Sequence, residues 1–425
     1  MNEIEAVGVE ALSLPLPKSG AAKKERAWLF ALLIAPSAVL MNGVVQGGVL
    51  SYLMRQQGIG IGRISEILGL ISLPTSLYFL WSPITDFLVQ RRTWVLLGAT
   101  TAGGLMAMAF QESNLAARSA IVVMLLAACC SQLVVSSCGG MMGALGTVRA
   151  RRVASSFYQA GSAGFGAAAM FVLVLVSARH RLLVALVATL IVLPGVFALA
   201  APPQAALENE GFGFVMRRLG REFKATFWCW GAIPYTLLML FPMNSGAAAG
   251  LLPGIARDYG VNGPQVAWMN GLGGGLLLAA GSLSAALIPA KVRASVAYLI
   301  VGLINAATLL VLWLGPMRPG AYFLGATLYL FTVGLGLATF TAVVLEFLGH
   351  SGKSGSGRYS IINSLGNVPV LYMLRLDGWG GDKWGARGLA GTEAVVGAVG
   401  AAILLAYFLT RKQVGPAPDE IAIEA

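Results

Sequence analysis

Charge is what this chain has least of. Only 11% of its 425 residues are charged, against roughly 25% in a soluble domain, which excludes an ordinary cytosolic enzyme. Histidine is nearly absent: His180 and His350 are the only two, and the reading below puts them in loops on opposite sides of a membrane. They cannot form one metal or acid/base centre. The four cysteines (Cys129, Cys130, Cys138 and Cys229) lie in apolar stretches without C-x-x-C spacing, so neither a disulfide framework nor a zinc site is encoded. Alternation of apolar and polar residues with period two is missing too, which excludes a transmembrane barrel. Residues 1–26 carry Glu3, Glu5 and Glu10 and lack a small-residue cleavage site before a short apolar core. No cleaved signal peptide is expected.

What is there is apolar. Hydrophobic residues make up 57% of the chain, and the mean hydropathy is +0.76. A bilayer core about 30 Å thick is crossed by roughly 20 apolar residues in a helix. Runs of at least 16 residues free of Asp, Glu, Lys and Arg occupy 27–54, 67–85, 93–111, 119–148, 153–178, 182–207, 225–256, 259–290, 294–317, 319–345, 359–374 and 394–410. That predicts twelve transmembrane helices, because backbone groups in lipid must be satisfied internally. The internal prolines Pro36, Pro74, Pro194, Pro234 and Pro369 are candidate kinks.

An even number of passes puts both termini on one side. The tails and even-numbered loops hold 19 of the 29 Lys and Arg, the odd-numbered loops 10. The positive-inside rule therefore predicts cytoplasmic termini in a cytoplasmic (inner) membrane. The net charge of +11 is mostly this bias and calls for no nucleic-acid partner.

The halves align at a constant offset of 202 residues. Trp28 falls on Trp230, Met41-Asn42 on Met243-Asn244, Arg55 on Arg257, Gly58 on Gly260, Arg91 on Arg293, Phe157 on Tyr359 and Gly164 on Gly366. The chain thus divides into a cytoplasmic tail at 1–27, a six-helix bundle at 28–205, a connector at 206–224, a second bundle at 225–410 and a tail at 411–425. Two parallel six-helix repeats about an axis along the membrane normal are the plan of the major facilitator fold, an all-α polytopic architecture.

One stretch carries a family resemblance. LWSPITDFLVQRRTW, from Leu80 to Trp94, resembles the major facilitator superfamily's loop between helices 2 and 3. Asp86, Arg91 and Arg92 match, and Ser82 stands where glycine is usual. The form LxFLWSPxxD, together with TFTAVVLEFLGHSGKSGSGRYSIINSLGNV in the second half, resembles the branch of AmpG-type muropeptide permeases, siderophore importers and acetyl-CoA transporters. The resemblance implies that Asp86, Arg91 and Arg92 help hold an inner gate. That branch commonly carries Gln-Asp-x-x-x-Asp in helix 4. Here Gln132 is kept, while Leu133 and Ser137 replace the acids.

Polar residues inside the helices face either partners or a watery cavity. Three pairs recur at i, i+4: Asn42/Gln46, Gln132/Ser136 and Asn363/Asn367. With Tyr158, Gln159, Tyr235 and Asn244 they form the candidate substrate cavity; helix-to-helix glue is the competing role. Glu346 is the candidate proton-coupling carboxylate, its alternative being a solvated helix end paired with Lys353 or Arg358. Glu66 and Glu393 read as solvated acids at helix starts. The motif SGKS at Ser351–Ser354 is not a phosphate loop, since Phe347 stands where glycine is required and no strand precedes it. The expected protein is a monomeric secondary transporter rather than an enzyme, without cofactor or metal. It would move a bulky organic solute of muropeptide or siderophore type through the lipid bilayer, with protons as candidate coupling ion. A non-transporting sensor or assembly protein on a carrier scaffold is the alternative.

Overall fold

The computed structural model describes residues 26–85, 89–145, 148–201, 232–289, 291–350 and 364–410, with isolated positions between 213 and 228 and at 362. Among the described residues every regular element is helical, as a chain without water to satisfy its backbone requires. The first half runs through α1 (Leu29–Val45 and Val49–Gln56), α2 (Ile61–Ser76), α3 (Arg91–Gln111), α4 (Arg118–Gly143), α5 (Val148–Leu175) and α6 (His180–Gly195). The second runs through α7 (Ile233–Leu240 and Ala247–Ile255), α8 (Gly263–Leu287), α9 (Ala294–Leu314) and α10 (Pro319–His350). The last helical stretch, Val368–Thr410, is 43 residues long but leaves helical geometry at Trp384 and Gly385. It is therefore two passes, α11 (368–383) and α12 (386–410), folded back to back. Gly380 packs on Gly388 and Thr392 across that hairpin.

Eight described helices are long and apolar enough to cross a bilayer, or nine with the bent α1. Counting α11 and α12 apart, and adding α2 and the broken α7, the structure is consistent with twelve passes. The fold is an all-α polytopic membrane protein built from two parallel six-helix repeats. The repeat is visible in the backbone. Gly58 and Gly260, 202 residues apart, both adopt left-handed conformations (φ 78° and 73°) after α1 and α7. Gly60 and Asn262, also 202 apart, are the N-caps of α2 and α8.

Helices α1 and α7 are both interrupted in mid-membrane. In α1 a π turn over Ala38–Val45 brings the Gln46 amide to the Met41 carbonyl at 2.7 Å. Gly48, at φ 96°, then turns the outer segment by 41°. In α7 the break holds Pro242, Asn244 (φ 55°) and Gly246 (φ 70°). Two outer segments, Val49–Gln56 and Ala247–Ile255, are thereby aimed at each other.

The packing of the halves differs between the two faces. We call the face of Arg26 and Thr410 the terminal face and the opposite one the far face. A single buried cluster runs through both halves, joining Leu50, Ile64 and Ile71 to Leu251, Tyr259, Tyr329 and Met373. Two further clusters are each confined to one half: Leu29, Val95, Val134 and Met141 in the first, and Tyr235, Tyr298, Phe347 and Phe408 in the second. These lie toward the terminal face, where α1 and α5 begin and α10 and α12 end. The halves are joined at the far face and separate into independent cores at the other.

Gly48 is where backbone and packing demands meet, since an added Cβ would lie 2.5 Å from Pro253 Cγ. Gly48→Ala should lower the unfolding midpoint in detergent more than Gly58→Ala, which meets open space. The backbone strain common to both is about 1–3 kcal/mol. Equal losses would show that the contact with Pro253 contributes nothing.

Candidate functional site: a polar seam and a latched far face

Between α2 and α11 the halves meet along polar residues. Gln46, Ser72, Thr75, Ser76 and Asn367 surround a cavity of about 10 Å³, the volume of about one water. The Ser76 hydroxyl donates to the Asn367 carbonyl (3.3 Å), and the Phe79 amide donates to Ser364 Oγ (3.2 Å). Behind the seam, Gln132 Nε2 donates to Thr75 Oγ1 (3.1 Å). The sequence S-L-P-T-S at 72–76 places its hydroxyls at i, i+3 and i+4, hence on one helix face. Among the candidate cavity residues, the structure brings together Gln46, Gln132 and Asn367.

The remaining candidates stand elsewhere. Asn42 turns away from Gln46, because the wider π turn between them breaks the i, i+4 register. Its amide bonds Ser162 on α5 (2.9 Å to Oγ, 3.3 Å to the carbonyl). Ser136 is buried on α4, and its hydroxyl finds no partner among the described residues; Ser137, where the branch carries an acid, is likewise buried and unmatched. Tyr158 packs on the first half's own cluster, and Gln159 is exposed. Asn244 serves the break in α7, donating to the Tyr298 carbonyl (3.0 Å). Asn363 and Asp86 fall outside the described residues. Arg91 donates to the Gly140 carbonyl (2.7 Å), tying α3 to α4 within the first half, and Arg92 is half-buried.

Glu346 accepts a hydrogen bond from the Tyr235 hydroxyl (2.9 Å), and Arg293 lies beside the same phenol. The arrangement ties α7, α9 and α10 together near the terminal face. Lys353 and Arg358, its alternative partners from the sequence, lie outside the described residues.

On the far face the halves are latched. Arg55 pairs with Asp258 at 3.4 Å and Arg375 with Glu66 at 3.2 Å, both across the interface. The Gly62 amide at the start of α2 donates to Asp382 Oδ1 on α11 (2.8 Å). The Ser51 hydroxyl donates to the Gly250 carbonyl (2.7 Å) between the outer segments of α1 and α7. Small residues permit this approach: Gly378 on α11 packs against Ser65 on α2, and Gly271 on α8 against Phe171 on α5, the close packing that replaces a hydrophobic drive in lipid.

One expectation is corrected here. Glu393 is not a solvated acid at a helix start: it is 4% exposed, because the chain turns at Gly385, well before it. The same shift of boundary brings in Asp377, fully buried on α11. By charge alone it falls in a loop, since Arg375 ends the uncharged run 359–374. Glu393 Oε1 accepts from Ser245 Oγ (2.7 Å) and from the Tyr329 hydroxyl (3.0 Å).

These features belong to a class: a helical membrane protein of two pseudo-symmetric halves, closed over a polar seam at one face. No protein family matches the chain by sequence, and no curated protein does. Its fold is shared with solved transporters. The nucleoside transporter NupG superposes with a TM-score of 0.68 over 90% of this chain and 98% of that one, at 12% identity. A peptide transporter, POT, in complex with sulfate reaches 0.67 over 90% and 94%, at 13% identity. A D-xylose-proton symporter reaches 0.64 over 89% and 95%, at 12% identity. At such identities the likeness is one of fold, and these neighbours are transporters rather than enzymes.

The far-face ion pairs are half exposed, and pairs of that kind contribute about 0–1 kcal/mol. Asp258→Asn or Glu66→Gln should therefore raise far-face labelling of a cysteine placed at Ser51 by at most about fivefold. A larger rise would show that the ion pairs, rather than apolar packing, hold the face shut.

Proposed function

We propose that the protein is a secondary transporter that carries a small organic solute across the cytoplasmic membrane by alternating access. The carrying observation is the asymmetry of its interior. One core joins the halves at the far face, and two separate cores face the terminal side. Rocking the halves about the seam would exchange these conditions without disturbing either bundle. The excess of Lys and Arg in the tails and even-numbered loops favours a cytoplasmic terminal face, so this conformation would be inward-facing; the branch resemblance implies import.

The seam sets the chemistry of the cargo. Gln46, Ser72, Thr75, Ser76 and Asn367 offer neutral donors and acceptors, suited to an amide- or hydroxyl-rich solute rather than a small, highly charged ion. The resemblance of Leu80–Trp94 to the AmpG-type branch favours a muropeptide-like or siderophore-like compound. The solutes named for the structural neighbours (nucleosides, peptides and D-xylose) share the same hydrogen-bonding character.

The test is tracer counterflow in proteoliposomes with a muropeptide, a hydroxamate siderophore, a nucleoside, a dipeptide and D-xylose. Transient accumulation of one of them is expected. Binding without exchange for all would favour a sensor instead. Gln46→Leu and Asn367→Leu should each lower exchange about tenfold, since one lost polar contact corresponds to about 1.4 kcal/mol. Unchanged exchange in both would remove the seam from the transport path.

A further inference from the structure

Asp377 and Glu393 each lie eight residues from the Gly385 turn, about 12 Å below it along their helices. Their carboxyl groups face each other within hydrogen-bonding range. Asp377 is fully buried and Glu393 is 4% exposed. Both Asp377 oxygens and Glu393 Oε2 lack a donor among the described residues. Among the described residues the surroundings supply no compensating charge: α7 contributes Ser245 and α10 contributes Tyr329. Tyr372 stands on α11 itself, and α9 packs against the hairpin without a charged residue. On α2, Ser65 lies opposite Gly378. The charged residues nearby, Arg63, Glu66 and Arg375, are engaged with one another at the surface. Two adjacent carboxylates in such a place would bear both mutual repulsion and lost hydration. One hydrogen placed between them relieves both and provides the donor that Asp377 lacks.

We propose that Asp377 and Glu393 together bind one proton, and that this is the transporter's coupling proton, exchanged with the far face. The step is a proton transfer from hydronium in far-side water to one carboxylate oxygen, leaving a water molecule and taking the pair from two negative charges to one. The pair is joined to both arms of the closed face. Asp377 shares α11 with Arg375 and Asp382, which hold α2. Glu393, through Ser245, holds the break in α7 whose outer segment packs on α1. Parting those arms uncovers the pair to far-side water; closing them buries it with its proton. The coupling role rests on the transporter reading, whereas the proton site stands without it.

Infrared difference spectroscopy of the full-length protein in lipid vesicles tests the site without any solute. At neutral pH the carbonyl stretch of a protonated carboxylic acid is expected, and Asp377→Asn/Glu393→Gln should abolish that band. A wild-type spectrum without it, or an unchanged band in the double variant, overturns the proposal. Should the double variant fail to fold, Asp377→Asn or Glu393→Gln alone must shift the band, and a band that neither moves overturns it equally. Sodium chloride that replaces the acid band with carboxylate bands, where choline chloride does not, would show a metal-cation site and overturn it too. In D2O, Arg375→Ala/Asp382→Asn should speed deuterium exchange of the acid band several-fold. An unchanged rate excludes access from the far face. Failure of the transporter reading would show separately, in tracer counterflow.

Discussion

Inside a bilayer a polar group has no water to turn to, so each one must be met by the protein itself or by what the protein carries. That constraint organises the whole molecule. It makes every described regular element a helix, and it lets helices bend only where the freed backbone finds another partner. The two mid-membrane breaks show how. In α1, the Tyr52 amide bonds the Gly48 carbonyl (3.0 Å), and the Ser51 hydroxyl is shared between that carbonyl (2.9 Å) and the Gly250 carbonyl of α7 (2.7 Å). In α7, Ser245 takes the Ala247 amide at 3.1 Å while giving its own hydrogen to Glu393. Neither break is a defect; each turns an outer segment toward the other half.

The contacts between halves grade from strong to weak across the membrane. At the far face, glycine-lined helices approach closely and half-exposed ion pairs decorate the rim. At mid-depth a seam of hydroxyls and amides holds a cavity of about 10 Å³. Toward the terminal face each half keeps a core of its own. Residues such as Asn42, Arg91 and Tyr235 bond within one half. Others, such as Asp258 and Asp382, act between halves.

Much of this was legible in the sequence, and the part that was not has a physical reason. Gaps between charges located the helices, and the offset of 202 placed Gly58 opposite Gly260, whose shared left-handed backbone reveals a common turn. Helix ends near α11 were misjudged because charge was the only ruler. Arg375 stops an uncharged run, yet a long arginine reaches the surface while its helix continues within the protein toward the Gly385 turn. That single error hid Asp377 and made Glu393 look solvated. The pairs at i, i+4 were sound as geometry for a regular helix. They failed at Asn42/Gln46 because a π turn leaves no mark in composition. Which polar residues meet across the interface is a tertiary fact, and no local spacing encodes it.

The halves share a fold but not a chemistry. Along the described seam the first half offers only amides and hydroxyls: Gln46, Ser72, Thr75, Ser76 and Gln132. The second half holds the buried acids Asp377 and Glu393, and Glu346 near the terminal face. Where the AmpG-type pattern that the sequence resembles has acids, α4 has Leu133 and Ser137, and no acid stands near them on α4. If a carrier of this plan needs an ionisable group out of water, the second half offers it and α4 does not. That placement suits the task. An acid in α4 would sit within one rigid bundle, away from the far-face latch. Asp377 and Glu393 instead sit on the hairpin that bears the latch to α2 and braces the break in α7. A change of charge there would act on the closure itself, where the same change in α4 would act within one bundle.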